Sequence, residues 1–274
     1  LVYYMVHSAW QELGADKFRH SLWSGFGAEG PEEAVTALLT CVYQATRNSG
    51  EVTRHAASSL AGAVGAEYHE LEVDSLVEGY KSMISEAIGR PLDWQRDDIA
   101  LQNIQARVRA PGVWMFANLK NALLVATSNR SEAAVGYATM DGDTSGGLSP
   151  IAGIDKNYLR AWLRWVEKQG PSDLHPLPAV SVVNEQAPTA ELRPAESKQT
   201  DEDDLMPYDL LDSVEKSAIR DKRSPLEVYQ EMRLRYPHYG AAQLGGWVER
   251  FFQLFCRNQW KRERYAPSFH LDDE

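Results

Sequence analysis

The sequence predicts an α/β fold in which a parallel sheet lies between two layers of helices, followed by a helical C-terminal part. Three observations lead to this prediction. Short β-rich runs alternate with amphipathic helical patterns before Lys156, as in parallel sheets whose strands are joined by helices. After Lys156 the pattern is mainly helical. The chain of 274 residues is also long enough to enclose a full hydrophobic core.

The N-terminal elements are predicted from apolar spacing and from turn residues. Residues 1–13 are apolar and then polar with no capping residue before them, which is typical of the interior of a helix. A loop is expected at residues 24–31, and a strand within the β-rich run of residues 37–45. A helix then covers residues 51–64 and ends at Gly65.

The rest of the chain continues this pattern and then becomes helical. The predicted elements are a strand at residues 68–73, helices at 76–88 and 98–119, a buried strand at 123–127, and helices at 157–168, 207–220, 225–234 and 241–259. Residues 171–204 should be mostly irregular, because they are rich in proline and end in an acidic run. No linker divides the chain convincingly, so residues 1–274 are assigned to one domain.

Composition and charge argue against several classes of protein. A net charge of −11 disfavours non-specific nucleic-acid binding, which needs a basic face. No stretch approaches the roughly 18 apolar residues of a membrane-spanning helix, and the N-terminus does not read as a signal peptide. Cys41 and Cys256 lie outside any CxxC pair, and the histidines lack metal-binding spacing, which disfavours a disulfide or zinc site. We therefore expect a cytoplasmic protein.

The polar segment of residues 127–156 is the strongest candidate for a site. It follows the apolar run of residues 122–126 and carries Glu132, Lys156 and a group of glycines. In α/β proteins, a buried strand that leads into a polar, glycine-rich segment is where ligands usually bind. The segment therefore predicts ligand chemistry where the strand ends.

Glu132 has two interpretations that the sequence leaves open. Asn129 precedes it by three residues, which is the spacing of a capping box, and Glu132 would then cap a helix and do nothing else. However, the end of a strand that feeds the start of a helix is also a preferred position for anions and nucleotides. A carboxylate there could bind Mg²⁺ or accept a hydrogen bond from a ligand.

Asn103 and Arg107 also allow two interpretations. They lie four residues apart, so on a helix they share one face. They form either a solvated polar stripe or a contact for an anion or amide, since arginine binds such groups through two hydrogen bonds. Pro111 should kink or end the predicted helix just after this pair.

Two further segments are candidates for parts of a phosphate site. Ser145-Gly-Gly147 resembles a phosphate loop, but no strand runs directly into it and no helix follows, which favours a loop over a site rather than a phosphate cradle. Residues 260–265 (WKRERY) place four charged side chains between two aromatic ones. They form either a solvated helix end or a mobile basic tail that closes over phosphates.

Five segments occur in a recognisable order and spacing: LQNIQAR, ATSNRSE with the GY that follows, GLSPIAGIDK, the stretch from PTAEL to QTDEDDLMPYDLLD, and the late WKR. Together they resemble the synthetase domain of NAD synthetase, and their local sequence is more similar to the glutamine-dependent type. The resemblance spans most of the chain from Thr40 to Arg264. It implies the adenine-nucleotide α-hydrolase-like fold, which is a three-layer Rossmann-like parallel sheet between helices, and at least a homodimer.

The resemblance also implies a reaction. The nicotinate carboxylate of deamido-NAD would be adenylated by ATP with Mg²⁺, releasing pyrophosphate, and ammonia would then attack the acyl adenylate to give NAD and AMP. The ammonia would be free or would come from glutamine through a glutaminase domain upstream of this chain. No nucleic-acid or membrane partner is implied.

Individual residues take their implied roles from their places in these motifs. The ATP contacts would be Thr127, Lys156 and Thr189, and the deamido-NAD contacts would be Asn103, Arg107, Glu132 and Lys261. Glu132 would also bind the metal ion. The resemblance assigns no catalytic residue in this chain.

This sequence departs from the family pattern in two places. The pyrophosphate loop of the family, SGGxDS, is not found, so we expect that the first strand and this loop are missing and that the chain begins in the helix after them. Met140 and Gly147 stand where the short ammonia-using enzymes often carry charged residues, so those contacts are not transferred. The alternatives are a nucleotide-binding or oligomerisation module without catalysis, or another enzyme of the ATP-pyrophosphatase group, which the PTAEL and DEDDLMPYD segments disfavour.

Overall fold

The fold is that of a computed structural model, which describes residues 1–23, 25–194 and 200–269. Its strands are β1 (Thr40–Ala45) and β2 (Glu67–Glu72). The helices up to the polar segment are α1 (Val2–Leu13), α2 (Ala15–Leu22), α3 (Pro31–Leu38), α4 (Glu51–Ala63), α5 (Asp74–Ile88), α6 (Asp98–Arg107), α7 (Arg109–Lys120) and α8 (Arg130–Val135). The later helices are α9 (Lys156–Lys168), α10 (Ser181–Asn184), α11 (Asp201–Asp204), α12 (Tyr208–Glu215), α13 (Pro225–Arg235), α14 (Ala241–Arg257) and α15 (Gln259–Arg262).

The chain divides into two compact units. One consists of Leu1–Val73 and Ala161–Ala187, and the other of Asp74–Arg160 and Pro188–Glu274. The assignment of the whole chain to a single domain stays a prediction.

The first unit is organised around the pairing of β1 with β2. The strands are parallel, with Thr40 opposite Glu67 and Ala45 opposite Glu72, and α4 forms the crossover that a parallel pair requires. An apolar cluster lies among α1, α2 and α3, and its buried members are Val6, Phe18, Phe26, Ala28, Ala34 and Val35. This parallel pair confirms the α/β prediction.

The second unit holds the whole polar segment of residues 127–156. Its apolar cluster joins α8 to α12, α13 and α14 through fully buried side chains that include Met206, Tyr208, Leu211, Met232 and Phe251. Burial of this much apolar surface stabilises the unit and fixes the start of α8 relative to α12. The candidate site is therefore built on a packed helical base.

Local features define the bounds of two predicted segments. The strand predicted within residues 37–45 begins only at Thr40, because α3 extends to Leu38 after starting at Pro31, a residue favoured in the first turn of a helix. The long helix predicted at residues 98–119 is interrupted at Val108, which confirms the kink or end predicted just after Arg107. Pro111 lies in the first turn of α7, where the missing N–H has no helical partner to lose.

The buried strand predicted at residues 123–127 is not found. Only an isolated parallel bridge joins Val125 to Leu148. Leu123 is 62% exposed and Val125 is 43% exposed, whereas Ala126 is buried, so the segment buries one side only. The apolar run predicted a strand covered on both faces, but no described segment covers its second face.

The described helices do not include one with the length and apolar character that crossing a membrane requires. Ser24, where the predicted loop begins, and residues 195–199, within the predicted irregular segment, lie outside the described residues.

Candidate functional site

The polar segment begins with a complete helix cap. The Asn129 side chain accepts a hydrogen bond from the N–H of Glu132 at 3.0 Å, and Glu132 Oε2 accepts one from the N–H of Asn129 at 3.4 Å. Asn129 is only 2% exposed. This confirms the capping interpretation of Glu132, and it holds the carboxylate at the start of α8.

Glu132 does more than cap the helix. Its Oε1 atom accepts a hydrogen bond from Lys156 Nζ at 2.9 Å, and the two side chains are only 18% and 21% exposed. The Lys156 ammonium also lies 5.6 Å from the centroid of the Tyr208 ring. Two residues from opposite ends of the polar segment thus meet as a partly buried ion pair, which contradicts the interpretation that Glu132 only caps.

Asp201 adds a second carboxylate that the sequence did not single out. It is 5% exposed and accepts a hydrogen bond from the Tyr208 hydroxyl at 3.0 Å. Burial raises the pKa of Asp201, whereas the charge of Lys156 lowers it. The sequence predicted that the acidic run ends a mostly irregular segment, and composition alone could not show that one of its members is buried.

Thr189 lies beside this acidic group. Its neighbour Pro188 accepts a hydrogen bond from the N–H of Asp201 at 3.2 Å, and Thr189 Oγ1 accepts one from the N–H of Glu191 at 3.3 Å. Thr127 is exposed just before the cap of α8. Neither threonine makes a described hydrogen bond to Glu132 or Lys156, so their assignment to ATP stays a prediction.

A loop that we call the 136–143 loop gathers the other predicted residues. Lys261 Nζ donates hydrogen bonds to the carbonyls of Gly136 and Ala138, both at 2.7 Å. Arg107 Nε donates to the carbonyl of Met140 at 3.0 Å. Asn103 Oδ1 accepts from the Thr139 hydroxyl at 3.0 Å, so Asn103 and Arg107 contact the same loop as Lys261, which is far from them in sequence.

Asp143 is a further carboxylate on this loop, and the sequence analysis did not single it out. Its Oδ1 atom accepts the N–H of Thr139 at 2.7 Å, and its side chain is accessible although protein surrounds it on most sides. Burial, together with the charge of Glu132, raises the pKa of Asp143 to about 6, while Lys261 lowers it. An accessible carboxylate in such surroundings is typical of a concave binding surface.

The Ser145-Gly-Gly147 run pairs with backbone instead of cradling a phosphate. The N–H of Gly147 donates to the carbonyl of Leu124 at 2.8 Å. A Cβ atom at Gly146 would lie 2.8 Å from the nitrogen of Ala126, so glycine is required for this close approach. These contacts support the prediction of a loop that only resembles a phosphate cradle.

The described residues contain no group of three or more histidine, cysteine or acidic side chains that could hold a metal ion. Glu132 can still supply one carboxylate. That is a suitable contribution for Mg²⁺ that arrives with a nucleotide, because Mg²⁺ commonly takes one or two protein carboxylates together with substrate phosphates.

Comparisons with known proteins agree with these observations. A family model described as NAD synthase matches residues 30–264. The glutamine-dependent NAD(+) synthetase of Homo sapiens is 28% identical over 89% of this chain and 37% of its own length. That of Aquifex aeolicus is 33% identical over 82% of this chain and 36% of its own length. The chain therefore spans little more than a third of these relatives.

A solved structure of a glutamine-dependent NAD(+) synthetase from Cytophaga hutchinsonii is also similar. The sequences are 42% identical and the TM-score is 0.84, over 99% of this chain and 44% of that one. The likeness thus covers the whole of the present fold and less than half of the other protein.

Proposed function

The chain belongs to the NAD synthase family, and on this premise we propose that it carries out the ATP-dependent amidation of deamido-NAD to NAD. The nicotinate carboxylate attacks the α-phosphorus of ATP, forming an acyl adenylate and releasing pyrophosphate. Ammonia then attacks the acyl carbon, AMP leaves, and a proton is lost from nitrogen to give the amide. Such a reaction depends on positioning and on neutralisation of phosphate charge.

The ion pair of Glu132 with Lys156 is the observation that carries this proposal. Lys156 is the first residue of α9, and its backbone N–H is already taken by the Ser131 hydroxyl at 2.8 Å. The ammonium, rather than the helix amides, would therefore contact a phosphate. A triphosphate carries more negative charge than one carboxylate and would compete with Glu132 for Lys156.

The 136–143 loop supports the assignment of the deamido-NAD end. Arg107 and Lys261 place two positive charges on it, and Asn103 adds an amide. In a chain with a net charge of −11, positive side chains of this kind are what an anionic substrate would need, and they also offset Asp141 and Asp143 on the same loop. Burial lowers the pKa of Lys261, so a bound anion would also stabilise its charged form.

Mg²⁺ is proposed to enter as the complex with ATP. Glu132 would supply a carboxylate oxygen once Lys156 turns towards the phosphates. The ion would neutralise phosphate charge during adenylation.

The ammonia is proposed to come from glutamine through a linked glutaminase domain. The support is the name and length of the relatives, of which this chain spans little more than a third. Free ammonia remains the other donor to be tested.

A homodimer is proposed as the minimal assembly. An apolar stripe along α5 is exposed, and its members are Leu76, Tyr80, Met83, Ile84 and Ile88. Their spacing places them on one face of the helix, as expected for a surface that another protein covers.

The test of this function is the release of AMP by the full-length protein. We expect AMP to appear only when both ATP and deamido-NAD are present, with either ammonia or glutamine as donor. Nucleotide binding without AMP release would instead support a non-catalytic module, and a lack of both would contradict the proposal.

A further inference from the structure

Asp212 on α12 joins two elements of the candidate site. Its Oδ1 atom accepts a hydrogen bond from the Ser131 hydroxyl on α8 at 2.5 Å. Its Oδ2 atom accepts one from the backbone N–H of Asn157, in the first turn of α9, at 3.0 Å. One carboxylate therefore ties the starts of two helices together.

Ser131 extends this link to the neighbouring residue of α9. Its hydroxyl donates to Asp212 and accepts the backbone N–H of Lys156 at 2.8 Å. Ser131 is fully buried and immediately precedes Glu132. The backbone of Lys156 and the residue that precedes Glu132 are thus held by the same hydrogen-bond relay.

Asp155 is a direct neighbour of Asp212, and burial together with the Asp155 carboxylate raises the pKa of Asp212. Asp155 Oδ1 accepts the N–H of Tyr158 at 2.6 Å, and its Oδ2 pairs with Arg130 at 3.1 Å. Arg130 also faces Glu215 at 3.3 Å. Asp155 and Arg130 thus join α8 to the third amide of α9, whereas Ser131 and Asp212 bond to its first two amides.

We propose that Asp212 is a positioning residue for ATP, which holds Lys156 at the angle and distance needed to meet the phosphates. The inference rests on the proposed function, because it assigns the phosphate contact to Lys156. Asp212 itself touches no substrate. Its effect is exerted through Ser131 and through the first two amides of α9.

The proposal is tested by Asp212→Asn and Ser131→Ala in the full-length protein. An asparagine has one acceptor oxygen instead of two, so in either orientation it loses one of the hydrogen bonds from Ser131 and Asn157, and the side-chain size is unchanged. We expect the KM for ATP to rise about tenfold in either variant, as expected when a binding group is displaced by a fraction of an ångström. The KM for deamido-NAD should change much less, because three of its proposed contacts (Asn103, Arg107 and Lys261) bond to the 136–143 loop and only Glu132 adjoins the relay.

A double variant and a matched control sharpen the test. The KM for ATP of the double variant should be no higher than that of the more impaired single variant, because both changes break the same relay. Ser213→Ala is the control, since this neighbouring buried hydroxyl on α12 bonds to Tyr236 and to the Asp209 carbonyl and not to α8 or α9. It should lower the Tm and leave both KM values unchanged.

The inference is overturned if both KM values rise in parallel, or if Asp212→Asn behaves like Ser213→Ala. A wild-type protein that releases no AMP would contradict the proposed function instead. Hydrogen exchange at the amides of Lys156 and Asn157 then decides the positioning role alone. Exchange that is faster in Asp212→Asn but not in Ser213→Ala upholds the role, and equal exchange rejects it.

Discussion

Glu132 divides its carboxylate between a backbone amide and a lysine, and this division determines what its substitution should do. Glutamine can still accept the N–H of Asn129, so Glu132→Gln keeps the cap and loses only the ion pair with Lys156. Alanine loses both.

We therefore expect Glu132→Ala to lower the free energy of unfolding by about 1 kcal/mol or somewhat more, as is usual for loss of a cap. Glu132→Gln should change it less, because partly exposed ion pairs contribute little. Denaturant unfolding measures both, and equal losses in the two variants would contradict the division of roles.

Asp143 predicts a pH dependence of stability. Because its pKa rises from 3.8 to about 6 on folding, the protonated form is favoured in the folded state, and stability is lost as pH increases from about 4 to 6. Asp143→Asn removes this loss while keeping an acceptor for the N–H of Thr139. The Tm difference between variant and wild type should therefore be near zero below pH 4 and positive above pH 6. A Tm difference that does not change with pH would show that folding does not raise the pKa of Asp143.

Some of these residues were predictable from the sequence and others were not. Glu132 and Asn129 form a local spacing pattern, and Asn103 and Arg107 belong to recognisable motifs. Asp143, Asp201 and Asp212 acquire their environments from segments far along the chain, such as Lys261, Lys156 and Ser131. No spacing rule applied to one sequence reports such contacts.

At the scale of elements, helices with local boundary signals were predicted most accurately. The ends of α4, α5, α9, α13 and α14 fall within about two residues of their predicted positions. Glycine and proline residues at their ends explain this accuracy. The segment at residues 123–127 was mistaken for a buried strand because its apolar composition does not reveal that only one side is covered.

The close approach of Gly146 to Ala126 makes a prediction at this scale. A side chain at Gly146 would meet backbone at 2.8 Å, so Gly146→Ala should destabilise the protein by about 1–3 kcal/mol. Gly79→Ala is the matched control, because Gly79 lies inside α5 with nothing within 4 Å of an added Cβ. The control should be neutral or stabilising by about 0.5–1 kcal/mol. The denaturant midpoints of the two variants are compared with that of the wild type. An unchanged midpoint in Gly146→Ala would mean that the bridge at Val125 is loosely packed.

At the scale of the whole molecule, the apolar stripe on α5 is the feature that a single chain does not explain. If it forms the dimer contact, Met83→Glu should convert the dimer to a monomer, because it would bury an unpaired charge. Ser82→Glu is the control, since Ser82 is exposed on the same helix but off the stripe. Light scattering after gel filtration measures the mass. A monomeric wild type, or a dimer that survives Met83→Glu, would remove α5 from the interface.

Measuring the affinity of Lys156→Ala for ATP is the direct test of whether Lys156 faces the phosphates of ATP. Lys168→Ala is the control, because Lys168 is an exposed lysine at the other end of the same helix. We expect Lys156→Ala to weaken ATP binding by about tenfold or more, which is the loss expected for one charge-assisted contact. Lys168→Ala should bind ATP like the wild type. Equal ATP affinity in the two variants, with folding intact, would contradict the phosphate contact of Lys156.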